Sequence, residues 1–422
     1  MRFRFSFTSV CLLAVLAMPF GLAAQEASSQ NLYSLQAAVT SAGTQAGCSQ
    51  QLVGPSRLPL RRPGMPGVMN RLCKPVLGGM ETSQPSNELA RPDDSRTYIT
   101  FDVPSSTSTT VADINLVGTV TGGYSDQNFV SHGFLRRLNG AITTFDAPGA
   151  SSTYGGAAIN DAGEIAGTYS DAGSLEHGFL RSPNGAITTF DIPGSTYGPY
   201  PGEINDAGVI AGTYWDENVV ARAFVRSRNG AITTFDVPGA VNGTFASGLN
   251  LLGATTGSYE NEDYVDHGYV RSPDGAITTF EVLSGHYTLP SAINLLGRAT
   301  GAFEEPHPEV HFRLFRGFLR EHDGTIEKFD AVPSPLDPCC TWTWPSSINL
   351  RGEIAGHTND GHDVNHGFVR ATDGAFTLLD APGAGTGFNQ GTFAVSINLL
   401  GVVAGYYEDA NRLYHGFLWI RH

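Results

Sequence analysis

Residues 159–167 read Ile-Asn-Asp-Ala-Gly-Glu-Ile-Ala-Gly, and residues 177–181 read His-Gly-Phe-Leu-Arg. Versions of both stretches return along the chain from Tyr98 onward, always in this order. Such a period outweighs other sequence signals, because it marks one structural unit that is stacked many times. The two stretches therefore predict a repeat architecture.

The aromatic residue of the second stretch measures the period. It recurs with spacings of 45, 45, 45, 49, 50 and 49 residues, at Phe134, Phe179, Phe224, Tyr269, Phe318, Phe368 and Phe417. Each unit holds four segments of strand length, rich in Ile, Thr, Phe and Tyr and separated by turn residues such as Asn184-Gly185. Four antiparallel strands in a unit of this length match the size of a propeller blade.

The two ends of the repeat region complement each other. The region begins with a lone fourth segment at residues 98–102 and ends with a lone third segment at residues 415–419. Pairing them completes a seventh sheet and removes an exposed edge strand. We therefore predict an all-β fold: a seven-bladed β-propeller with four antiparallel strands per blade, closed by pairing of the N-terminal strand with the C-terminal strands. The long, variable loops then share one face, where binding residues usually lie.

The N-terminus has the features of a secretory signal peptide at residues 1–24. Arg2 and Arg4 give a positive start, an apolar run follows at residues 10–17, and small residues at 21–24 provide a cleavage site. The apolar run is too short for a transmembrane helix. We expect a secreted protein, extracellular or periplasmic, without membrane insertion.

A segment without a period precedes the repeats. Residues 25–96 are rich in Pro, Gly and Ser, which predicts a disordered leader or linker before a propeller at residues 97–422. The leader has a net charge of +2, whereas the repeat region carries sixteen basic and thirty-five acidic side chains, a net charge of −19. This charge would repel nucleic acid and anionic lipid, and it favours glycans, cations or basic protein surfaces as partners. We expect a monomer.

Four cysteines follow the predicted cleavage site: Cys48, Cys73, Cys339 and Cys340. Cys48 can pair with Cys73 inside the leader, and the adjacent Cys339 and Cys340 can pair with each other. The sequence does not choose among the three possible pairings.

The repeats resemble the HAF repeat family of bacterial extracellular proteins. The matching stretches are residues 159–167 and His177-Gly178-Phe179-Leu180, in which Gly stands where the family often has Ala. The third unit has Arg222 and the fifth has Arg316 at the position of the histidine. The resemblance implies export and a repeated β architecture, and it implies no established activity or catalytic residues.

Two sets of polar residues recur with the repeat. Histidines precede the glycine and aromatic residue in five units, at His132, His177, His267, His366 and His415. They either form a hydrogen bond within each blade or ligate a metal ion, and we expect the hydrogen bond. Acidic residues begin the variable loops, at Asp126, Asp171, Asp216, Glu260, Glu304, Asp360 and Asp409. They either form local Asx turns or bind Ca²⁺; we expect the turns and no obligate cofactor.

The best candidate ligand site lies where the repeat is irregular. The fifth unit contains an insertion at residues 305–311, and the next inter-blade loop carries two tryptophans within residues 339–344. Aromatic rings beside carboxylates and imidazoles suit stacking on a glycan. The candidate residues are Glu304, Glu305, His307, Glu309, His311, Trp342 and Trp344. The alternative is that the tryptophans fill the gap between blades five and six and that the insertion is a plain surface loop.

The sequence contains no nucleophile elbow, phosphate-binding glycine loop, zinc-protease helix or kinase signature. We therefore predict a non-catalytic binding or scaffold module that takes a glycan or protein ligand on its variable-loop face. The alternative is a secreted polysaccharide hydrolase or lyase with a site near blades five and six, because a repeat rich in acidic residues places many carboxylates side by side.

Overall fold

The computed structural model describes residues 96–306, 313–331 and 341–421, together with the backbone of residues 48–49 and 72–73. These parts of the chain contain strands and turns and no helix. The strands are β1 (Cys48–Ser49), β2 (Leu72–Cys73), β3 (Arg96–Phe101), β4 (Ser108–Ile114), β5 (Val120–Ser125), β6 (Ser131–Arg136), β7 (Ile142–Phe145), β8 (Ala150–Ile159), β9 (Ile165–Asp171), β10 (Glu176–Arg181), β11 (Ile187–Phe190), β12 (Tyr197–Ile204), β13 (Ile210–Trp215), β14 (Ala221–Arg226), β15 (Ile232–Phe235), β16 (Gly243–Leu249), β17 (Thr255–Glu260), β18 (Asp266–Arg271), β19 (Ile277–Phe280), β20 (Thr288–Ile293), β21 (Ala299–Glu305), β22 (Leu314–Arg320), β23 (Ile326–Phe329), β24 (Thr341–Ile348), β25 (Ile354–Asp360), β26 (Asn365–Arg370), β27 (Phe376–Leu379), β28 (Gly391–Ile397), β29 (Val403–Glu408) and β30 (Tyr414–Arg421). Within the described ranges, no helix has the length and apolar character needed to cross a membrane.

The two shortest strands, β1 and β2, pair in antiparallel register with Cys48 opposite Cys73. They belong to one compact unit of the chain, and strands β3–β30 belong to another. This register agrees with one of the three cysteine pairings that the sequence leaves open, and it does not by itself establish a disulfide bond. Cys339 and Cys340 lie outside the described residues, as does most of the predicted leader.

Strands β3–β30 form four-stranded antiparallel sheets, which confirms the predicted all-β class and the four strands per unit. We number the sheets 1 to 7: β4–β7, β8–β11, β12–β15, β16–β19, β20–β23, β24–β27, and β28–β30 with β3. Single parallel bridges join sheet 3 to sheet 4, at Ala221 and Gly243, and sheet 6 to sheet 7, at Asn365 and Gly391. In sheet 7 the fourth strand, β3, comes from the start of the repeat region and pairs with the last strand of the chain.

Neighbouring sheets pack through one repeated aromatic contact. Phe179 on the third strand of sheet 2 is fully buried, and its ring meets Phe145 on the fourth strand of sheet 1 edge-on at 5.9 Å between centroids. The guanidinium of Arg181 lies 5.1 Å from the centre of the Phe145 ring, at cation–π distance. The same arginine–phenylalanine pairs are Arg136–Phe101, Arg226–Phe190, Arg271–Phe235, Arg320–Phe280 and Arg370–Phe329. The recurring aromatic residue of the sequence is therefore the core residue of each sheet-to-sheet contact.

The recurring asparagines link the first strands of successive sheets. The side-chain Nδ2 of Asn115 donates to the carbonyl oxygen of Asn160 at 3.1 Å, and each later asparagine donates to the next one in the same way. The last of them, Asn398, donates to the carbonyl oxygen of Asn115 at 3.1 Å. These asparagine turns lie at one end of the strands of every sheet, and we call that end the asparagine edge. The longer connections lie at the opposite end of the strands, which we call the variable edge.

Candidate functional site

The recurring histidines lie near the variable edge and bind carboxylates of their own sheet. Nδ1 of His366 is 2.6 Å from Asp380 at the end of the fourth strand, and its Nε2 is 3.6 Å from Asp360 at the end of the second. The hydrogen bond to Asp380 outweighs burial and raises the pKa of His366. Equivalent pairs are His132–Asp146, His177–Asp191, His267–Glu281 and His415–Asp102. The histidines thus link their own strand, the third, to the end of the fourth strand, and we call these links histidine braces.

Arginines replace the histidine in two sheets and make the same connection. Arg222 in sheet 3 bonds Asp216 and Asp236, at 2.9 and 2.6 Å. In sheet 5, Arg316 bonds Glu305 at 3.2 Å and Asp330 at 3.1 Å. Glu305, one of the predicted ligand residues, is therefore engaged by an arginine that takes the place of the histidine.

Five of the seven acidic residues predicted to begin the variable loops form Asx turns, whereas Glu260 and Glu304 lie on strands β17 and β21. Oδ1 of Asp171 accepts the N–H groups of Gly173 and Leu175, and those hydrogen bonds hold the pKa of its carboxyl below the usual value. Asp126, Asp216, Asp360 and Asp409 make the same pair of bonds. In sheet 4 the turn residue is Asn261, not Glu260, which lies one residue earlier at the end of β17.

The structure places the remaining predicted ligand residues in two groups. Trp344 is only 6% exposed and packs edge-on against Phe315, with its Nε1 unpartnered among the described atoms. Trp342 is partly buried, and its ring meets His357 edge-on at 5.1 Å. Burial lowers the pKa of His357 to about 4, so this imidazole is neutral at physiological pH. His307, Glu309 and His311 lie outside the described residues.

Glu304 belongs to a group of charged residues shared by sheets 4 and 5. We call it the carboxylate cluster: Glu260, Asp266, Tyr287, Glu304 and Arg313. Glu260 and Asp266 lie directly opposite each other on β17 and β18. Arg313 lies 3.9 Å from the centre of the Tyr287 ring, and its Nε is 3.5 Å from Oε1 of Glu304. The backbone N–H of Glu304 donates to the carbonyl oxygen of Tyr287 at 2.9 Å, which aligns the two residues.

Burial changes the protonation of this cluster. Burial, together with the charge of Asp266, raises the pKa of Glu260 to about 7. Burial also raises the pKa of Asp266, although a hydrogen bond with Ser258 and the charges of His267 and Arg313 act in the opposite direction. Two carboxyls held face to face cannot both ionise freely, because like charges at short range repel. The pair can therefore hold a proton near neutral pH and present both a donor and an acceptor.

A row of aromatic rings continues the variable edge from sheet 3 to sheet 4. The rings of Tyr200 and Trp215 meet edge-on at 5.4 Å, and Trp215 meets Phe245 at 6.3 Å. All three rings are partly exposed. The Tyr200 hydroxyl donates to the carboxylate of Glu176 on sheet 2. Burial, with the charge of Glu176 beside it, raises the pKa of this phenol, which keeps its proton in place as the donor.

Sequence reasoning missed most of the carboxylate cluster. It grouped Glu260 with the loop residues, and it did not single out Asp266, Tyr287 or Arg313. Alignment of the units would have shown a signal. The positions of Glu260 and Asp266 correspond to Ser125 and Ser131 in the first unit. Among the described sheets, only sheet 4 has a carboxylate at both positions. Burial raises the pKa of both carboxyls of this pair, and the spacing of residues in the sequence does not report burial.

Among the described residues, no three His, Cys, Asp or Glu side chains are grouped so as to hold a metal ion. Bound Ca²⁺ on the variable edge stays a sequence-based alternative. A shallow depression of about 410 Å³ lies between residues 102–108 and residues 413–415, beside the pairing of β3 with β30. It is separate from the carboxylate cluster in sequence and lies on sheet 7 and the loop that follows β3.

No family model matches the chain, and no curated protein matches it in sequence. Solved structures do resemble it. A catalytically inactive virginiamycin B lyase from Staphylococcus aureus, solved with quinupristin, has a TM-score of 0.52 at 14% identity, covering 77% of this chain and 99% of the lyase. An acylaminoacyl peptidase from Pyrococcus horikoshii has a TM-score of 0.52 at 11% identity, covering 75% of this chain and 52% of the peptidase. At such identities the likeness concerns the fold alone, and it is to proteins of the propeller type.

Proposed function

We propose that the protein is a secreted β-propeller of seven blades in a closed ring, and that it binds a glycan or protein ligand on its variable edge without catalysing a reaction. Ring closure is supported by three contacts between sheet 7 and sheet 1. These are the hydrogen bond from Asn398 to Asn115, the edge-on contact of Phe101 with Phe134 at 6.1 Å, and the cation–π distance of 4.8 Å between Arg136 and Phe101. Secretion rests on the predicted signal peptide, and membership of the HAF repeat family rests on the motifs quoted above.

One observation carries the binding function: the polar residues that recur make hydrogen bonds and ion pairs within their own sheets, whereas the carboxylate cluster occurs once among the described sheets. Histidine braces and Asx turns account for the recurring charges sheet by sheet. In sheets 4 and 5, by contrast, Tyr287 and Arg313 form a flat surface beside Glu260, Asp266 and Glu304. A flat ring with carboxylates around it suits a sugar ring with its hydroxyls, or the basic side chains of a protein.

The aromatic row at Tyr200, Trp215 and Phe245 extends this surface toward sheet 3. Partly exposed rings provide a large contact area at low cost in side-chain entropy, because each ring turns about only two bonds. A ligand that crosses from sheet 3 to sheet 5 would meet rings first and carboxylates next. The variable edge therefore favours an extended ligand over a small, compact one.

A glycan array followed by calorimetric titration of the secreted chain tests the binding function. Asp266→Asn replaces one ionisable carboxyl of the cluster with an amide of nearly the same shape, and we expect it to weaken binding about tenfold or more. The matched control is Asp274→Asn in the turn at the opposite end of sheet 4, because Asn-Gly already occupies this turn in other units, at Asn184-Gly185. Equal affinities for Asp266→Asn and the control would place the ligand elsewhere.

The second candidate function is hydrolysis or eliminative cleavage of a polysaccharide, and the Glu260–Asp266 pair favours it. A carboxyl with a pKa near 7 can act as a general acid or base at neutral pH. A turnover screen on polysaccharides, with Glu260→Gln as the test variant and Asp274→Asn as the control, decides between the two functions. Turnover that the Glu260→Gln change abolishes would overturn the non-catalytic proposal. Binding without turnover supports it.

A further inference from the structure

Apolar side chains lie at the tips of the asparagine turns in five of the sheets. In sheets 2 and 3 the turn after the asparagine reads Asp-Ala-Gly, as Asp161-Ala162 and Asp206-Ala207. In sheets 1, 4, 5, 6 and 7 leucine takes the place of the aspartate. The exposed apolar residues, each between 36% and 67% exposed, are Val117, Leu251, Leu252, Leu296, Leu350, Leu399 and Leu400.

The stability of the turns does not require leucine at these positions. In the turns that keep aspartate, the carboxylate joins neighbouring sheets: Oδ1 of Asp161 accepts the N–H of Leu116 at 2.7 Å, and Oδ1 of Asp206 accepts the N–H of Asp161 at 2.8 Å. Leucine has no acceptor to offer at this position. Turns also favour Asp, Asn and Gly over leucine, because those residues satisfy the local backbone. Each leucine therefore gives up a hydrogen bond between sheets and leaves apolar surface in water.

The leucine tips form one continuous patch. The asparagine hydrogen bonds hold successive turns side by side, and sheets 4, 5, 6, 7 and 1 follow one another in the closed ring proposed above. Together the seven side chains expose on the order of 600 Å² of apolar surface, which reaches the range of patches that mark interaction sites. We call this surface, defined by the seven residues named above, the leucine face.

We propose that the leucine face is the interface between two copies of this chain, packed asparagine edge to asparagine edge about a twofold axis. The proposal rests on the closed ring and is independent of the binding function. It departs from the monomer that we expected from the sequence. The patch approaches the roughly 800 Å² per partner of a standard interface once its polar rim is included.

Charge complementarity points to a second copy as the occupant. Asp161 and Asp206 lie on sheets 2 and 3, and exposed Arg351 is at the tip of sheet 6. In a ring of seven, sheet 6 is three sheets from sheet 2 in one direction and three from sheet 3 in the other, so the arginine lies in the middle of the leucine face and across the ring from the two aspartates. A twofold axis in the plane of the ring then sets the arginine of each copy against the aspartates of the other. Such a surface is complementary to itself, as a twofold interface requires.

Sedimentation velocity and light scattering over a range of protein concentrations test the proposal. We expect the mass to rise from one copy to two as concentration increases. The decisive variant is Leu251→Asp with Leu252→Ala, because it restores the turn sequence of sheets 2 and 3 and so preserves or strengthens the fold. We expect it to raise the dimer Kd about tenfold or more. Phe129→Asp, an equally exposed apolar residue on the variable edge at a positive φ that aspartate tolerates, is the control and should leave the Kd unchanged.

A charge exchange tests the twofold geometry. Arg351→Asp and Asp206→Arg should each weaken self-association, and mixing the two variants should restore a dimer, because each then supplies the charge that the other lacks. A single-copy mass at all concentrations would overturn the proposal, as would a dimer that persists in the Leu251→Asp, Leu252→Ala variant. A single copy that co-sediments with phosphatidylcholine vesicles would also overturn it and would assign the leucine face to lipid.

Discussion

Substitution of Phe101 tests whether β3 packs as the fourth strand of sheet 7. Its ring meets Phe134 edge-on at 6.1 Å, lies 4.8 Å from the guanidinium of Arg136 and covers Gly416, where an added Cβ would come within 2.5 Å of the ring. Phe101→Ala removes all three contacts. A buried Phe→Ala change costs about 3–5 kcal/mol, and a half-buried ring about half of that. The edge-on pair adds roughly 1 kcal/mol and the arginine contact a similar amount when partly buried.

The expected loss is therefore about 4 kcal/mol, which in a domain of this size lowers Tm by roughly 8 °C. Differential scanning calorimetry of the purified protein measures it, with urea unfolding as a second measure. Thr100→Ala on the same strand is the control, since this exposed side chain should contribute within about 0.5 kcal/mol. Phe235→Ala, which removes the same kind of contact from the middle of the chain, should cost as much as Phe101→Ala. A Tm for Phe101→Ala equal to that of Thr100→Ala would refute the pairing of β3 with β30 and, with it, the closed ring.

Three further outcomes follow from contacts in the sheets. Gly133→Ala places a Cβ 2.4 Å from the Phe145 ring, so it should destabilise the fold by about 1–3 kcal/mol in a urea titration. The hydrogen bond to Asp380 raises the pKa of His366 in the folded state. The stability that this histidine contributes is therefore fully present below its unfolded-state pKa and is lost as pH rises through its folded-state pKa. The unfolding free energies of the wild type and His366→Asn should converge above that pH, and a constant difference between them would contradict the role of the histidine as a brace. Asn250→Ala leaves the N–H of Ala254 without its partner and removes the bond to the Asn294 carbonyl oxygen, which keeps its bond from the N–H of Gly297. The change should cost about 2 kcal/mol by the same titration, and a loss within error would contradict the role of the asparagine bonds.

Much of the fold was predictable because its determinants are local. The turns at Asn184-Gly185 and after each recurring asparagine depend on residues next to one another in the chain, and so does the alternation of strand segments. The recurring aromatic measured the period because one such residue fills the core contact of every sheet. The Asx turns and histidine braces were also predictable, since each joins residues of a single unit.

The candidate site depended on contacts between units. Glu260 and Asp266 are six residues apart in the chain, and burial raises the pKa of both, while the charge of Arg313 on the next sheet acts against that rise at Asp266. The sequence left two interpretations of Trp344 open, an exposed glycan surface or a ring that fills a gap between blades, and the structure buries the ring against Phe315. The spacing of residues within one unit indicates neither how deeply a side chain is buried nor which residue of the next sheet it contacts.

The sequence by itself therefore determined the repeat, its four strands and the residues that turn and brace each sheet, because these interactions act within one unit. Only the tertiary structure decided which variable residues come together. It placed Tyr287 and Arg313 of sheet 5 close enough to Asp266 of sheet 4 for their charges to interact, left the leucines of the asparagine turns facing water, and set Asn398 against Asn115. The physical reason is that burial and charge coupling depend on distances between sheets, and those distances are set by the packing of all the repeats together.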